Sequence, residues 1–522
     1  MESRRVAVIG AGIAGLLACK YVVEKGFKPV VFEAEEGVGG VWRHTPESTK
    51  LQTKKTAYQF SDFPWPSSLE ELFPTNNKVL EYVQSYAKHF NLFPYIKFNS
   101  KVLNLDYVDG ESYEEIETWD FWGGIGKPFE SKGKWHLMVQ DTKTSSTEMY
   151  QFEFVILCIG RYSGLPEIPE FPPYQGPEVF NGKVMHSMDY SAMDSDKAAE
   201  LIKNKRISVI GSQKSAMDIA TECSDTNGVE YPCYMIQRTA HWLLPSIYLW
   251  GIDRSYFYYT RFSELMIHKP GETLLLSILA TLLSPVRWAI SKFAESYLLW
   301  KLPLKKYGIV PNHSFLQDIS SCKIQMLPEN FYEKVEQGSI VLKKSQSFSF
   351  CEKGLILDGE TQPLETEIVI LATGYRGEIK LANIFKSPIF KKLMLGSEDS
   401  IVPLYRHIIH PRIPQLAVIG YAESLSSLCT SEMRCQWLAQ FLTGNLKLPR
   451  IREMEKDVMM WENFLKQYSG KYFRGSCNAS VHIWYNDQLC KDMGCKTRRK
   501  NGILAELFQP YGPADYAGLP YN

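Results

Sequence analysis

The chain has no surplus of either charge. Its 58 Lys and Arg are matched by 58 Asp and Glu over 522 residues. Nothing in its net field draws it onto nucleic acid or an anionic membrane surface. It also has no Cys-x-x-Cys pair. Its 11 cysteines are scattered and odd in number, which argues for a reducing compartment and against a disulfide or zinc framework. The same absence excludes a dithiol reductase, which needs two close cysteines. No secretory leader is expected before the first strand-like run. No apolar stretch reaches the ~20 residues of a bilayer span, so no transmembrane span is expected. The longest, "TLLLSILATLLSPVRWAISKF", is broken by Pro285 and Arg287, which leaves residues 274–283 uninterrupted. Two readings of it stay open: a buried helix, and a helix resting on a membrane or at a substrate entrance. No Ser-His-Asp arrangement and no metal-ligating cluster stands out, so no metal is expected. There is no low-complexity segment.

What is present is an element written twice. "RVAVIG" is a short apolar run ending in glycine, "LLACKYVVEKG" has helical spacing, and "KPVVFEA" is a second strand. A β-α-β unit this short demands a parallel sheet and a right-handed crossover. "KRISVIG", "SAMDIATEC" and "YPCYMIQRT" draw the unit again. "EFVILCIG" and "TEIVILATGY" read as strands buried on both faces. The expected fold is α/β, with two dinucleotide-binding (Rossmann-like) domains, the second inserted in the first. The boundaries expected are 1–170 and 326–450 for the two parts of the first domain. The second should span 171–325, with a helical insertion at about 243–307. A helical and irregular tail should fill 451–522. The polar stretch between Tyr107 and Gln140 reads as a loop between antiparallel strands, and "KTRRK" near 496–500 as solvated surface.

The first unit carries Gly10-x-Gly12-x-x-Gly15, with Ala11, Ile13 and Ala14 between, placed between strand and helix. The first glycine makes the tight turn, the second admits a pyrophosphate, and the third lets helix and strand pack closely. The helix start offers N–H groups and positive dipole to phosphate. Glu33 ends the second strand at about the ~20-residue spacing expected of a ribose-binding acid. It would accept from a 2′-hydroxyl and repel a 2′-phosphate, so this site should hold FAD or NAD. "GVGGVW" follows; its Gly40, Val41 and Trp42 are candidates for nucleotide contact, with Trp42 readable also as core.

The second unit keeps Gly211 but continues Ser212-Gln213-Lys214-Ser215-Ala216. If Gln213 sits in a left-handed backbone, its side chain costs about 1–2 kcal/mol. Arg238 is read as occupying the place that Glu33 has in the first site. Its planar fork suits a 2′-phosphate, so the second site should take NADPH. An eroded structural repeat is the other reading.

Between the units lies Phe180-x-Gly182-x-x-x-His186-x-x-x-Tyr190. Together with the two units and "LATGY" (Leu371 to Tyr375), the set resembles the flavin-containing monooxygenases, which carry FxGxxxHxxxY/F between their FAD and NADPH sites. The likeness covers roughly residues 3 to 440. "FSDFPWP", "KVMHSMDY", "ESYLLWKLPLKKYG", "PNHSF" and "PENFYE" look like the plant branch that includes the pipecolate N-hydroxylases of systemic immunity. The resemblance implies FAD and NADPH as cofactors and O2 as co-substrate. It implies N-hydroxylation of a small amine or amino acid, pipecolic acid foremost, through a flavin C4a-hydroperoxide, in plant defence. Rival enzymes are a thioether S-oxygenase, an auxin-type 2-oxo acid oxygenase and an oxime-forming amino-acid oxygenase. The rival outside enzymes is a dinucleotide-binding redox sensor. Gln52 stands where many members have asparagine and is the candidate catalytic contact. His186 is expected to link the two domains rather than act as a base. In "SEMRCQW", Arg434 and Gln436 stand exchanged relative to animal members. The expected location is the cytoplasm, with peripheral contact to the cytosolic face of the endoplasmic reticulum left open.

Overall fold

Val6–Ile9 is a four-residue apolar strand with every residue buried. In a computed structural model of the protein, described over residues 4–396 and 400–519, it lies at the centre of a sheet. The outermost ends of the expected first part and tail, residues 1–3 and 520–522, lie outside the described residues. The strand pairs in parallel with Val30–Phe32 on one side and Phe154–Leu157 on the other. Leu416–Val418 and Ile96–Lys97 complete five parallel strands. Ile207–Ile210 begins the second parallel sheet in the same way. Its order is Ile340–Lys344, Cys233–Gln237, Ile207–Ile210, Ile368–Leu371, Lys183–His186. The chain is α/β with two parallel sheets, as the doubled motif requires.

Both sheets are covered on both faces, which is why their strands are solid apolar runs. The helices Ile13–Glu24 and Ser427–Leu442 share a core on one face of the first sheet. The antiparallel strands Ser100–Val108, Lys134–Asp141 and Thr147–Phe152 pack on the other, with the helices Gly377–Asn383 and Pro388–Leu395. The expected loop between antiparallel strands is present, with the short helix Tyr113–Thr118 inside it.

The chain passes between the lobes twice, and the two passages hold each other. Glu167 N–H donates to Gly374 O (2.8 Å) and Arg376 N–H to Leu165 O (3.0 Å). Arg376 adds a two-pronged bond to the Glu167 carboxylate, 2.8 Å on each arm.

Five expectations need correction. The second lobe does not end at residue 325: Ile340–Lys344 and Ile368–Leu371 belong to its sheet, and the return comes at 374–377. A strand buried on both faces reads the same in either sheet, so the sequence could not assign it. The region after 450 is no appendage. Its helices Ile451–Ser469 and His482–Asp492 place Ile451, Trp461, Tyr485 and Leu489 in the first sheet's own core. Within "KTRRK", Arg499 and Lys500 are partly buried, and Lys500 pairs with Asp515 (2.7 Å). Cys322 and Cys477, 155 residues apart, form a disulfide, a pairing that spacing does not show.

The fifth correction concerns the apolar run. It is one helix, Leu274–Lys301, continuing through Pro285. A proline removes one helical hydrogen bond and crowds the preceding turn. Here it lies on the exposed side, where water can take up the freed carbonyl. By length and composition the helix could cross a membrane, yet only 11% of its apolar window is buried. Leu274, Leu282 and Trp288 are 78%, 70% and 65% exposed. Its other side, with Ala294 and Leu298, is packed into the second lobe's core. The buried-helix reading therefore fails for its first half.

Candidate functional site: two nucleotide cradles and the seam between them

The first cradle is shaped by close approach. Gly10 has φ +102°, and a Cβ there would lie 2.6 Å from Cys158 O. A Cβ on Gly15 would lie 1.8 Å from Gly10 O, so the loop and its helix cannot meet with any side chain at 15. Gly12 faces the backbone of Gly40, whose Cα lies 3.4 Å from an ideal Cβ at 12. The helix starts at Ile13 with Gly12 as its cap and no capping side chain, so its first-turn N–H groups, with those of Ala14 and Gly15, are left for a ligand. Glu33 is buried. Its Oε2 accepts from Ala11 N–H (2.5 Å) and Oε1 from Glu35 N–H (2.9 Å). Burial pushes its carboxyl above the ordinary range, and these two donors pull it back. Val41 is exposed beside the cradle, while Trp42 is half-buried and donates from Nε1 to the Tyr58 hydroxyl (2.9 Å).

The second cradle repeats this with changes. A Cβ on Gly211 would meet Ala372 O at 2.5 Å and the Ala216 methyl at 3.2 Å. Gln213 caps the helix Lys214–Asn227 with φ −105° and ψ −173°. That is extended backbone open to any residue, so the suspected left-handed strain is absent. Ser212 is half-buried and Ser215 exposed at the loop. Lys214 turns away to Asp218 (2.5 Å), whose other oxygen accepts from Thr49 of the first lobe (2.8 Å).

Register corrects the assignment of Arg238. Phe32 pairs with Ile9, the residue before Gly10, and Ile236 pairs with Ile210, the residue before Gly211. The counterpart of Glu33 is thus Gln237, which is buried. Arg238 lies one residue further, exposed, on the wall of a cavity of about 520 Å³. Three lysines, Lys323, Lys344 and Lys471, share that wall.

Residues 48–54 form the seam between the lobes. Ser48 bonds Glu222, Thr49 bonds Asp218, Lys50 reaches Glu329 (2.6 Å) and Lys54 pairs with Asp253. Gln52 sits in the middle. Its Oε1 accepts from Met326 N–H (3.2 Å) and its backbone carbonyl from Arg254 Nη2 (3.0 Å). The Phe180–Tyr190 motif lies behind the seam. Phe180 packs on Phe350, and a Cβ on Gly182 would strike Glu367 O at 2.3 Å. Tyr190 donates to Glu222 (3.1 Å), the acid that also holds Ser48. His186 Nδ1 accepts from Met188 N–H (3.1 Å), and its ring stands against Tyr375 of the second passage. Burial lowers its pKa, against the opposing charge of Asp189.

The chain matches the Flavin-binding monooxygenase-like family over residues 3–504. A "Probable flavin-containing monooxygenase 1" of Arabidopsis thaliana is 41% identical over 521 residues, covering 99% of this chain and 96% of the relative. The chain belongs to the flavin-containing monooxygenase family. It is an NADPH-dependent oxidoreductase with FAD as its flavin. Among solved structures, OTEMO in complex with FAD and NADP is similar with TM-score 0.66 and 17% identity, over 94% of this chain and 97% of that one. S-allyl-L-cysteine S-oxygenase from Allium sativum is similar with TM-score 0.58 and 16% identity, over 94% and 88%. At such identities they show a shared fold.

FAD fits the first cradle. The glycines leave backbone and open helix amides where a pyrophosphate would lie, and Glu33 is the acid beside them. The second cradle has an equivalent start and a cationic wall, which fits the extra phosphate of NADPH.

Several site residues carried no motif. Lys380 reaches Ile159 O (2.6 Å), Gly160 O (3.1 Å) and Ser163 Oγ (3.0 Å) at the first passage. Burial pulls it down to about 8 against the opposing charge of Glu33. Arg434 and Gln436, the exchanged pair, are structural. Arg434 is fully buried on the Tyr485 hydroxyl (2.8 Å), and Gln436 donates to Tyr21 (3.0 Å). Against the expectation of no metal cluster, His241, His313 and Asp318 bring three potential ligand atoms within 4.8 Å. Asp318 already has His241 at 3.0 Å, His313 at 2.7 Å and Trp242 N–H at 2.7 Å, which makes a satisfied buried carboxylate.

Proposed function

We propose that the chain N-hydroxylates a small amine or amino acid, pipecolic acid foremost, in plant systemic immunity. The observation that carries the amino-acid reading is Arg254. It is half-buried at the seam and bonded to the carbonyl of Gln52. Among the described residues it forms no ion pair. Its Nη1 touches only the Met326 sulfur (3.6 Å) and its Nη2 only that carbonyl, so no carboxylate neutralises it, which suits a two-pronged contact with a substrate carboxylate.

In this reading the loop Gly10–Gly15, Glu33 and Gly40-Val41-Trp42 hold FAD. The loop Gly211–Ala216 and Arg238 hold NADPH. Bound FAD, reduced by NADPH, supplies the oxygen-activating chemistry. The chain's part is orientation and exclusion of water. Arg254 anchors the carboxylate. Gln52, whose carbonyl is committed to Met326, has only its Nε2 hydrogens to offer the reacting centre. His186 and Tyr190 hold the lobes in register.

The segments shared with the plant branch and the Arabidopsis relative support this choice. The fold likeness to a garlic oxygenase of S-allyl-L-cysteine keeps a second reading in play, S-oxygenation of an amino-acid thioether, which Arg254 would serve equally. Mass spectrometry of products from pipecolate, methyl thioethers and indole-3-pyruvate separates the readings. An N-hydroxy product from pipecolate alone supports ours; turnover of a thioether or the 2-oxo acid without it overturns ours. Arg254→Met should raise KM for pipecolate at least about tenfold, the loss of one charged contact, and leave an amine without a carboxylate unaffected.

We also propose a cytoplasmic location with the exposed half of Leu274–Lys301 resting on a lipid surface, the cytosolic face of the endoplasmic reticulum. Leu274, Leu275, Ile278 and Leu282 face outward, and Trp250 stacks on Trp300 (5.0 Å) near the other end. Aromatic and apolar residues on one outer face suit the boundary of headgroups and acyl chains. Flotation with phosphatidylcholine–phosphatidylserine vesicles tests it: Leu275→Glu with Leu282→Glu should abolish co-flotation, and an unchanged float removes the proposal.

A further inference from the structure

The cavity beside Arg238 has walls from two distant parts of the chain. Arg238, Lys323 and Lys344 come from the second lobe, and Lys471 and Tyr472 from the segment after helix Ile451–Ser469. No acidic side chain lines it. Among the described residues none of the four cations forms an ion pair. Like charges gathered without counter-charge are unfavourable, so the arrangement favours a bound polyanion. The Nζ atoms of Lys323 and Lys471 stand 5.1 and 5.3 Å from the centre of the Tyr472 ring. Burial, then the Arg474 cation, holds Lys323 below the ordinary lysine range, with Arg238 adding to the effect and the Asp318 and Glu423 carboxylates opposing it.

The second wall is tied to the first by ring packing of Tyr472 on His313 (4.2 Å), by hydrogen bonds and by a disulfide. Ser469 Oγ donates to Ser320 O (3.1 Å) and Tyr472 hydroxyl to Asn312 Oδ1 (3.1 Å). Arg474 Nη1 donates to Cys322 O (3.1 Å). The covalent tie is the Cys322–Cys477 bond itself, whose first cysteine adjoins Lys323. Cys477 is buried, while Cys322 is partly exposed and open to an attacking thiolate.

We propose that residues 469–477 are a detachable wall of the pyridine-nucleotide site, with Lys471 a specificity residue for the 2′-phosphate, and that the Cys322–Cys477 bond keeps it in place. This rests on the reading that the Arg238 cavity takes that phosphate. Two electrons and two protons from a dithiol convert the disulfide to two thiols, oxidising the dithiol to its own disulfide. The covalent closure is then lost, and Lys471 is held opposite Arg238 only by the weaker hydrogen bonds and ring contacts of its segment. The thiol–disulfide state thereby sets the affinity for NADPH over NADH.

The test is calorimetry with NADP⁺ and NAD⁺ on FAD-loaded protein, before and after dithiothreitol. Thiol state is read by mass spectrometry after alkylation. Reduction should weaken NADP⁺ binding about tenfold, the worth of one charged contact, and leave NAD⁺ unchanged. Cys477→Ser, checked for FAD retention as a sign of folding, should bind like the reduced protein in both conditions. Lys471→Ala should weaken NADP⁺ in the oxidised protein only. Equal NADP⁺ affinity in both thiol states overturns the latch, as does a pair that stays reduced in oxidising buffer. The reading beneath it fails separately: if Arg238→Glu leaves the NADP⁺ preference intact, the cavity does not hold the 2′-phosphate.

Discussion

The two β-α-β units share a topology and differ in how strictly they hold it. In the first, three glycines sit where backbones meet, and a buried carboxylate is tied to the loop through Ala11 and Glu35. In the second, one glycine remains, Gln213 takes ordinary extended angles, and the residue matching Glu33 is a buried amide, Gln237. The first site grips through shape and the second through charge.

The sharpest way to break this comparison is Gly15→Ala. Its methyl would overlap Gly10 O, so the helix must move off the loop and the purified protein should lose its flavin absorbance. Ala216 holds the matching place in the second unit without such a clash, so the effect should be confined to FAD.

Acid should strike the lobe that holds FAD. His407, His410 and His482 are fully enclosed, and burial pulls them to about 3, 3 and 4. Their folded pKa values lie below the unfolded value near 6.5, so the unfolded chain binds more protons in between. Stability should fall as pH drops from about 6.5, by up to about 1.4 kcal/mol per pH unit for each imidazole. Urea unfolding followed by flavin fluorescence at pH 7.5 and 5 checks the sign.

Arg238→Glu should erase the preference for NADPH over NADH by about 10- to 100-fold, the worth of one charge-assisted contact, read from the ratio of kcat/KM values. The smallest effect belongs to Gln213→Gly. Its backbone is already relaxed, so KM for NADPH should shift less than about threefold, about 0.6 kcal/mol. A larger gain would mean the side chain obstructs the phosphate.

Much of this was legible in the chain. Gly10, Gly12, Gly15 and Glu33 mark their roles by spacing, because turn, close approach and carboxylate recur at fixed offsets along a strand–turn–helix. Arg238 shows its charge in the chain but lies one residue beyond the counterpart of Glu33, since counting to the end of a strand does not fix its register. The strand Ile368–Leu371 was visible as a strand and not as a member of the second sheet. Arg254, Lys380, Lys323 and Lys471 carry no motif; each matters through what lies across a gap in space. The helix Leu274–Lys301 showed its apolar character but not which side is covered.

The sequence by itself determined the doubled α/β architecture and the glycine cradle of the first unit, because local backbone sterics act over a few residues. Only the tertiary structure decided that Gln237 and not Arg238 is the counterpart of Glu33, that residues 340–371 return to the second sheet, and that Cys477 meets Cys322. These are pairings between segments far apart in the chain, selected by packing and register, and no local preference encodes them.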